Sequence, residues 1–124
     1  MAVRERADWT CEVCGKKYQQ PAQNLHCSHF YSRRHRSIRW HPLNAFSHDF
    51  GCHQRLGENP AEFVDWVEKN RPESLAMRDL VNVITKVTKK DRKLIALHYK
   101  AEYEKMRALR DLGSKGRLYM RDWR

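Results

Sequence analysis

The feature that most constrains this chain is a pair of cysteines two residues apart with a glycine behind them, Cys11-Glu12-Val13-Cys14-Gly15. Such a turn aims two thiolates at one point, and glycine at its exit takes a backbone conformation that a side chain would strain. Cys27 and Cys52 complete the set of four. The opening residues, MAVRERADW, lack the apolar core of a secretory signal, and no apolar run approaches the length of a membrane span. The expected setting is therefore cytoplasmic and reducing, where closely spaced cysteines read as metal ligands rather than as a disulfide framework. A thioredoxin-like redox pair is the rival, but it requires a βαβ context that this sequence does not offer. A structural zinc is expected on Cys11, Cys14 and Cys52, with the fourth position open between Asp49, His48 and Cys27.

A chain of 124 residues makes one domain with a modest core, a size at which a metal staple helps. The formal charge is +10 and is spread along the chain: nine Lys and Arg stand against five Asp and Glu in residues 1–58, and sixteen against ten in residues 59–124. A surface of this sign attracts phosphate backbones, although charge alone suits solubility or a generic anionic partner equally well.

Local patterns place the elements. Leu25–Tyr31 reads as a short strand, Ser32–Pro42 as a polar loop rich in arginine, and Ala45–His48 as a second strand turned by Asp49-Phe50-Gly51 into a short helix near Cys52. Asn59, Pro60 and Glu62 then form a helix start with a capping box, and Phe63, Trp66 and Val67 repeat at core spacing. Pro72 breaks that helix. Met77, Leu80, Val81, Ile84 and Val87 predict an amphipathic helix from about Ser74, and Thr88 with Asp91 predicts a second capping box. A last long helix is expected from Asp91 to Leu112, with Ile95, Tyr99, Met106 and Leu109 on one stripe. Gly113–Gly116 ends it, leaving the basic tail RLYMRDWR as a mobile segment or an arm on a partner.

Between His26 and His53 the chain concentrates histidines at 26, 29, 35, 41, 48 and 53 and arginines at 33, 34, 36 and 39. Fourteen residues separate His29 from Asn44, and eight separate Asn44 from His53. Carried on a strand, a loop, a second strand and a short helix, this H-N-H spacing resembles the HNH nucleases of the ββα-metal class. More specifically it is similar to the phage NinG/Rap recombination nucleases, whose elements read here as CEVCG, CSHFYSRR, HPLN and GCHQ over about residues 9–57.

The resemblance implies an α+β fold: a small zinc-stabilised ββα-metal core in residues 1–58 and a helical extension with a short basic tail in residues 59–124, packed as one unit. It implies a metal-dependent DNA endonuclease acting on duplex or branched recombination intermediates, in a bacterial host and of phage or prophage origin. Cutting a phosphodiester needs a proton acceptor beside the attacking water and positive charge on the developing anion. A neutral His29 can take the proton, and a divalent cation, Mg²⁺ or Mn²⁺, can neutralise the phosphate oxygens. By resemblance, His53 is a ligand of that cation and Asn44 holds the loop that orients His29. Arg33, Arg34, Arg36 and Arg39 would clamp phosphates, with Trp40 available for packing or a base contact.

Two positions depart from the pattern. Ser28 stands where many HNH enzymes carry an acidic ligand, and Asp49 stands where the family has a thiolate. Other classes of function remain in view: a catalytically inactive zinc-stabilised module that binds DNA or RNA, or an interaction domain whose C-terminal helices pair with a partner. Cys27 reads otherwise as a small buried residue, and His26, His35 and His41 as polar or phosphate-contacting. Monomer and dimer are both compatible with the sequence.

Overall fold

The computed structural model describes residues 1–20 and 22–124. Its architecture is mixed α+β, with a single two-stranded sheet among the described residues. Helix α1 (Ala2–Arg6) opens the chain, and β1 (Leu25–His29) and β2 (Ala45–Asp49) form an antiparallel ribbon. Helices α2 (Phe50–Glu58) and α3 (Pro60–Asn70) follow, then a 3-10 segment (Pro72–Leu80), then the long helix α4 (Lys89–Asp111).

Pairing in the ribbon runs from Leu25 opposite Asp49 to His29 opposite Ala45. Because side chains alternate along a strand, His26, Ser28, Phe46 and His48 share one face, while Leu25, Cys27, His29, Ala45, Ser47 and Asp49 share the other. The first face covers a core of Phe46, Leu56, Phe63 and Val67, with Trp66 edge-on to the Phe46 and His48 rings. The second face meets α1. There the buried guanidinium of Arg6 donates to the carbonyls of Pro42 (2.8 Å) and Ala45, and Arg4 Nε donates to the Leu25 carbonyl at 2.6 Å. Helix α1 in turn packs on α4 through Ala2 and Met106.

One residue ties the cysteine turn to this frame. Glu12, between the two cysteines, donates its N–H to the Ser47 carbonyl (2.8 Å) and accepts the Ser47 N–H on Oε2 at 2.6 Å. Its other oxygen receives the buried Arg71 guanidinium at 2.6 Å, and Arg71 itself lies over the Phe46 ring and donates to Glu73 at 3.0 Å.

The strands, α3 and α4 stand where the sequence patterns predict them, and the Thr88–Asp91 capping box forms with both of its hydrogen bonds. Elsewhere local pattern yields to tertiary contact. Asn59 precedes α3 but makes no side-chain cap; its amide turns back to the Arg55 carbonyl at 2.7 Å, and Glu62 pairs with Arg55 at 3.0 Å. The helix expected from Ser74 to Val87 is a 3-10 segment ending at Leu80, followed by irregular chain with Ile84 99% exposed. Of the five stripe residues only Met77 and Val87 are buried, so the apolar spacing marked two points of contact without marking a helix. The C-terminal residues are docked: Leu118 N–H bonds to the Arg6 carbonyl at 2.9 Å, Met120 is buried against Ala2 and Met106, and Arg124 reaches the Ser37 carbonyl at 2.9 Å.

The Glu12–Arg71 pair yields a stability test. Arg71→Ala leaves a carboxylate facing the core without its cation, and breaking a buried pair in this way costs about 3–5 kcal/mol. Urea unfolding in zinc-containing buffer should register that loss, and Arg71→Met combined with Glu12→Gln should recover a large part of it. A single Arg71→Ala variant within 1 kcal/mol or so of wild type would overturn the assignment.

Candidate functional site

Two chemically distinct groups of side chains flank the ribbon. The first gathers Cys11, Cys14, Asp49 and Cys52, whose ligand atoms all lie within 4.8 Å of one another. Cys11 and Cys14 sit on a turn closed by the Gly15 N–H to the Cys11 carbonyl (2.9 Å), with Gly15 at φ 77° as a C-x-x-C-G turn demands. A single bridge between Thr10 and Lys17 pins the two sides of the turn. Asp49 and Cys52 come from the junction of β2 and α2. Asp49 is the N-cap of α2: Oδ1 accepts the Cys52 N–H at 2.8 Å, while Oδ2 receives the Cys14 thiol at 3.2 Å and the Tyr18 hydroxyl at 3.1 Å.

The electrostatics of this cluster suit a bound cation. Burial opposes ionisation of Asp49, but hydrogen bonds from the Cys52 backbone, from the Cys14 and Cys52 thiols and from Tyr18 together hold its carboxyl down at about 2. The thiols move the other way. Burial, then Asp49 and Cys11, push the Cys52 thiol far up. At Cys14 the Lys16 backbone favours the thiolate, yet burial and the bonds to Asp49 and Cys11 outweigh it and raise the pKa. Three sulfurs and a carboxylate crowded around one point repel further negative charge, and a dication is the species that reverses this. Three soft sulfur donors and one carboxylate suit a metal ion such as zinc.

The structure assembles Asp49 with the cysteines and leaves the other two candidates outside. His48 projects from the opposite face of β2, fully buried against Phe46, Phe63 and Trp66, with neither ring nitrogen hydrogen-bonded among the described residues. Burial drives its pKa down to about 3, helped by His53 and Arg71, so it is neutral. Cys27 is exposed on the α1 side of β1, which corrects its expected burial.

The second is made of residues not gathered into one cluster: His53 is stacked on His26 of the first face, whereas His29 belongs to the second face. The Nε2 of His29 lies 3.2 Å from the Arg39 carbonyl. Asn44, fully buried, accepts the Tyr31 N–H on Oδ1 (2.9 Å) and donates from Nδ2 to the Tyr31 carbonyl (3.0 Å). His53 is exposed on the first turn of α2, its ring parallel to that of His26 at 5.5 Å between centroids. Ser28, next to His29, is buried. Arg33, Arg34 and Arg36 are exposed, whereas Arg39 lies over the Trp40 ring at 4.9 Å and both are half-buried.

Four contributors escaped the sequence reading. Glu12 carries the anchorage of the cysteine turn, and Arg6 braces the segment that carries Asn44. Tyr99 of α4 donates to the Trp40 carbonyl, and Asp122 approaches His41 at 3.7 Å, so the C-terminal half builds part of the surroundings of His29. The glutamate inside the C-x-x-C spacer gave no hint of its role, since a charged residue in a turn ordinarily faces water. No protein-family model, curated protein or solved structure matches this chain.

The cluster predicts about one zinc per chain on elemental analysis and unfolding on chelation, as for structural sites whose binding free energy is folding free energy. Because the ion must displace thiol protons, affinity should fall as pH falls. Cys11→Ala should lose the metal, and His48→Ala should keep it. Purified wild-type protein without metal, folded and indifferent to a chelator, would refute the site.

Proposed function

We propose that the protein is a metal-dependent DNA endonuclease of HNH type, built on a zinc-stabilised core related to the NinG/Rap recombination nucleases. The observation that carries this reading is the state of His29. A carbonyl can only accept, so the contact with Arg39 puts the proton on Nε2 and leaves the Nδ1 lone pair free. Burial holds the ring below its ordinary pKa; the Arg39 carbonyl pulls the other way, but Arg33, Arg39 and His53 oppose it. The imidazole is therefore neutral at pH 7, with one nitrogen able to accept a proton from water. Asn44 supports the same role by spending both amide groups on the Tyr31 backbone, which fixes the chain two residues beyond His29.

His53 would hold Mg²⁺ or Mn²⁺ together with water and phosphate oxygens, and its solvent exposure leaves room for them. An imidazole ligand favours Mn²⁺ of the two. When bound, the cation neutralises charge on the non-bridging oxygen and on the leaving alkoxide. Arg33, Arg34, Arg36 and Arg39 then bind the phosphates on either side, the guanidinium fork matching phosphate geometry. A second reading, a zinc-stapled module that binds DNA or RNA without cutting, is favoured by the buried serine at position 28, where many HNH enzymes carry an acid.

Cleavage assays separate the two. His29→Ala should keep its zinc and bind DNA while strand scission falls about a hundredfold or more. His53→Ala should also lose activity but regain part of it at high Mn²⁺, because mass action refills a weakened site. Wild-type activity should be flat at neutral pH and decline in acid below 6.5, since protonation removes the base and its pKa lies under that ordinary value. DNA that is bound yet never nicked, with Mg²⁺ or Mn²⁺, would leave only the binding module.

The arginine loop makes a separate prediction. Replacing Arg33, Arg34 or Arg36 by Ala should weaken binding to every DNA sequence alike and reduce the salt dependence by roughly one counterion each. Loss confined to one sequence, with the slope intact, would mean that the arginine reads a base.

A further inference from the structure

A cleft of about 300 Å³ opens beside His29, between the ribbon, α1, α4, the arginine loop and the docked C-terminal segment. Its walls are of two kinds. Trp40, Tyr99 and Met120 provide aromatic and apolar surface, while Arg33 and Arg39 join His29 in supplying cationic and proton-accepting groups. The apolar walls come from three separate parts of the chain and are fixed to one another. The Tyr99 hydroxyl is bonded to the Trp40 carbonyl, Met120 packs on Ala2 and Met106, and Arg39 covers the Trp40 ring.

We infer that this cleft receives one unstacked nucleoside of the DNA strand, with the phosphate attached to it held by Arg33 and Arg39 beside His29. The choice of DNA rests on the nuclease reading above. The cleft has the volume of a small-ligand site, about ten water volumes, and suits a single base with part of its sugar. A double helix is far too wide to enter between α1 and the arginine loop. Flat aromatic and thioether walls bind the face of any base, and arginines held next to them bind the phosphate that every base carries. Neither feature alone selects a nucleotide, whereas the two within one cleft match its two halves. The substrate class that follows is DNA with an unpaired or easily extruded nucleotide at the reacting phosphate, because paired bases must first be unstacked at a cost of a few kcal/mol.

Binding tests this without relying on cleavage. Two duplexes of equal length, one fully paired and one with a single unpaired 2-aminopurine, are titrated into the full chain by anisotropy in EDTA-free buffer without Mg²⁺ or Mn²⁺. Wild type should prefer the unpaired form by about five- to a hundredfold, the range of one base–aromatic stack, and the 2-aminopurine emission should change on binding. Trp40→Ala should bring the ratio of the two affinities toward one. Val3→Phe, which adds bulk to the α1 wall of the cleft, should do the same; circular dichroism and metal content establish that each variant is folded. Equal affinity of wild type for both duplexes would overturn the inference, as would a preference that survives both folded variants. Cutting without discrimination defeats the cleft and spares the nuclease; discrimination without cutting does the reverse.

Discussion

Glu12 is the residue on which the arrangement of the site depends. A charged side chain between two cysteines of a turn would ordinarily face water. Here it is drawn in to meet the two backbone groups of Ser47 and the guanidinium of Arg71. That set of bonds fixes the cysteine turn against the middle of β2, two residues before Asp49, and so brings Cys11 and Cys14 to the start of α2. The same arginine packs over Phe46 in the main core, so the ligand cluster and the core share a wall. An ion pair this dry is tolerated because hydrogen bonds satisfy nearly all of it; among the described residues one Arg71 nitrogen is left without a partner.

What the sequence disclosed follows from the range of the forces involved. Both strands, α3 and α4 rest on side-chain alternation or helical spacing, signals that act within a few residues. The capping box at Thr88 and Asp91 is equally local and formed as read. The three cysteines were legible because the turn chemistry is written in adjacent residues. The choice of Asp49 over His48 was not, since neighbours on a strand point to opposite faces and only the register says which faces the cysteines. Helix α1 left no periodic trace. Its Arg6 is buried because it braces carbonyls at Pro42 and Ala45, partners distant in sequence. The docked tail was missed for a similar reason: its one buried apolar residue, Met120, meets α1 and α4 together.

The charges that sum to the formal +10 are not all at the surface. Several carboxylates are turned inward or engaged by internal cations. Glu5 and Glu102 are buried, the first beside Arg110 and bonded by Trp9 and Gln20, and Glu12 is committed to Arg71. The arginines at 33, 34 and 36 pair with no carboxylate among the described residues and are exposed. The loop next to His29 therefore offers three exposed guanidinium groups to a polyanion, in addition to the exposed cations of the helical half, and such charges act on the direction and rate of approach more than on final affinity.

A carboxylate has two oxygens, and at Asp49 they belong to different structures. Oδ1 closes the first turn of α2 by accepting the Cys52 amide, while Oδ2 points into the sulfur cluster. The helix terminus and the ligand cluster therefore share one rotamer, and neither can loosen without strain on the other. In exchange spectroscopy the Cys52 amide becomes a built-in reporter. Its proton leaves for solvent only when Asp49 lets go, so a single backbone resonance would read the state of the cluster and the integrity of the helix that carries His53.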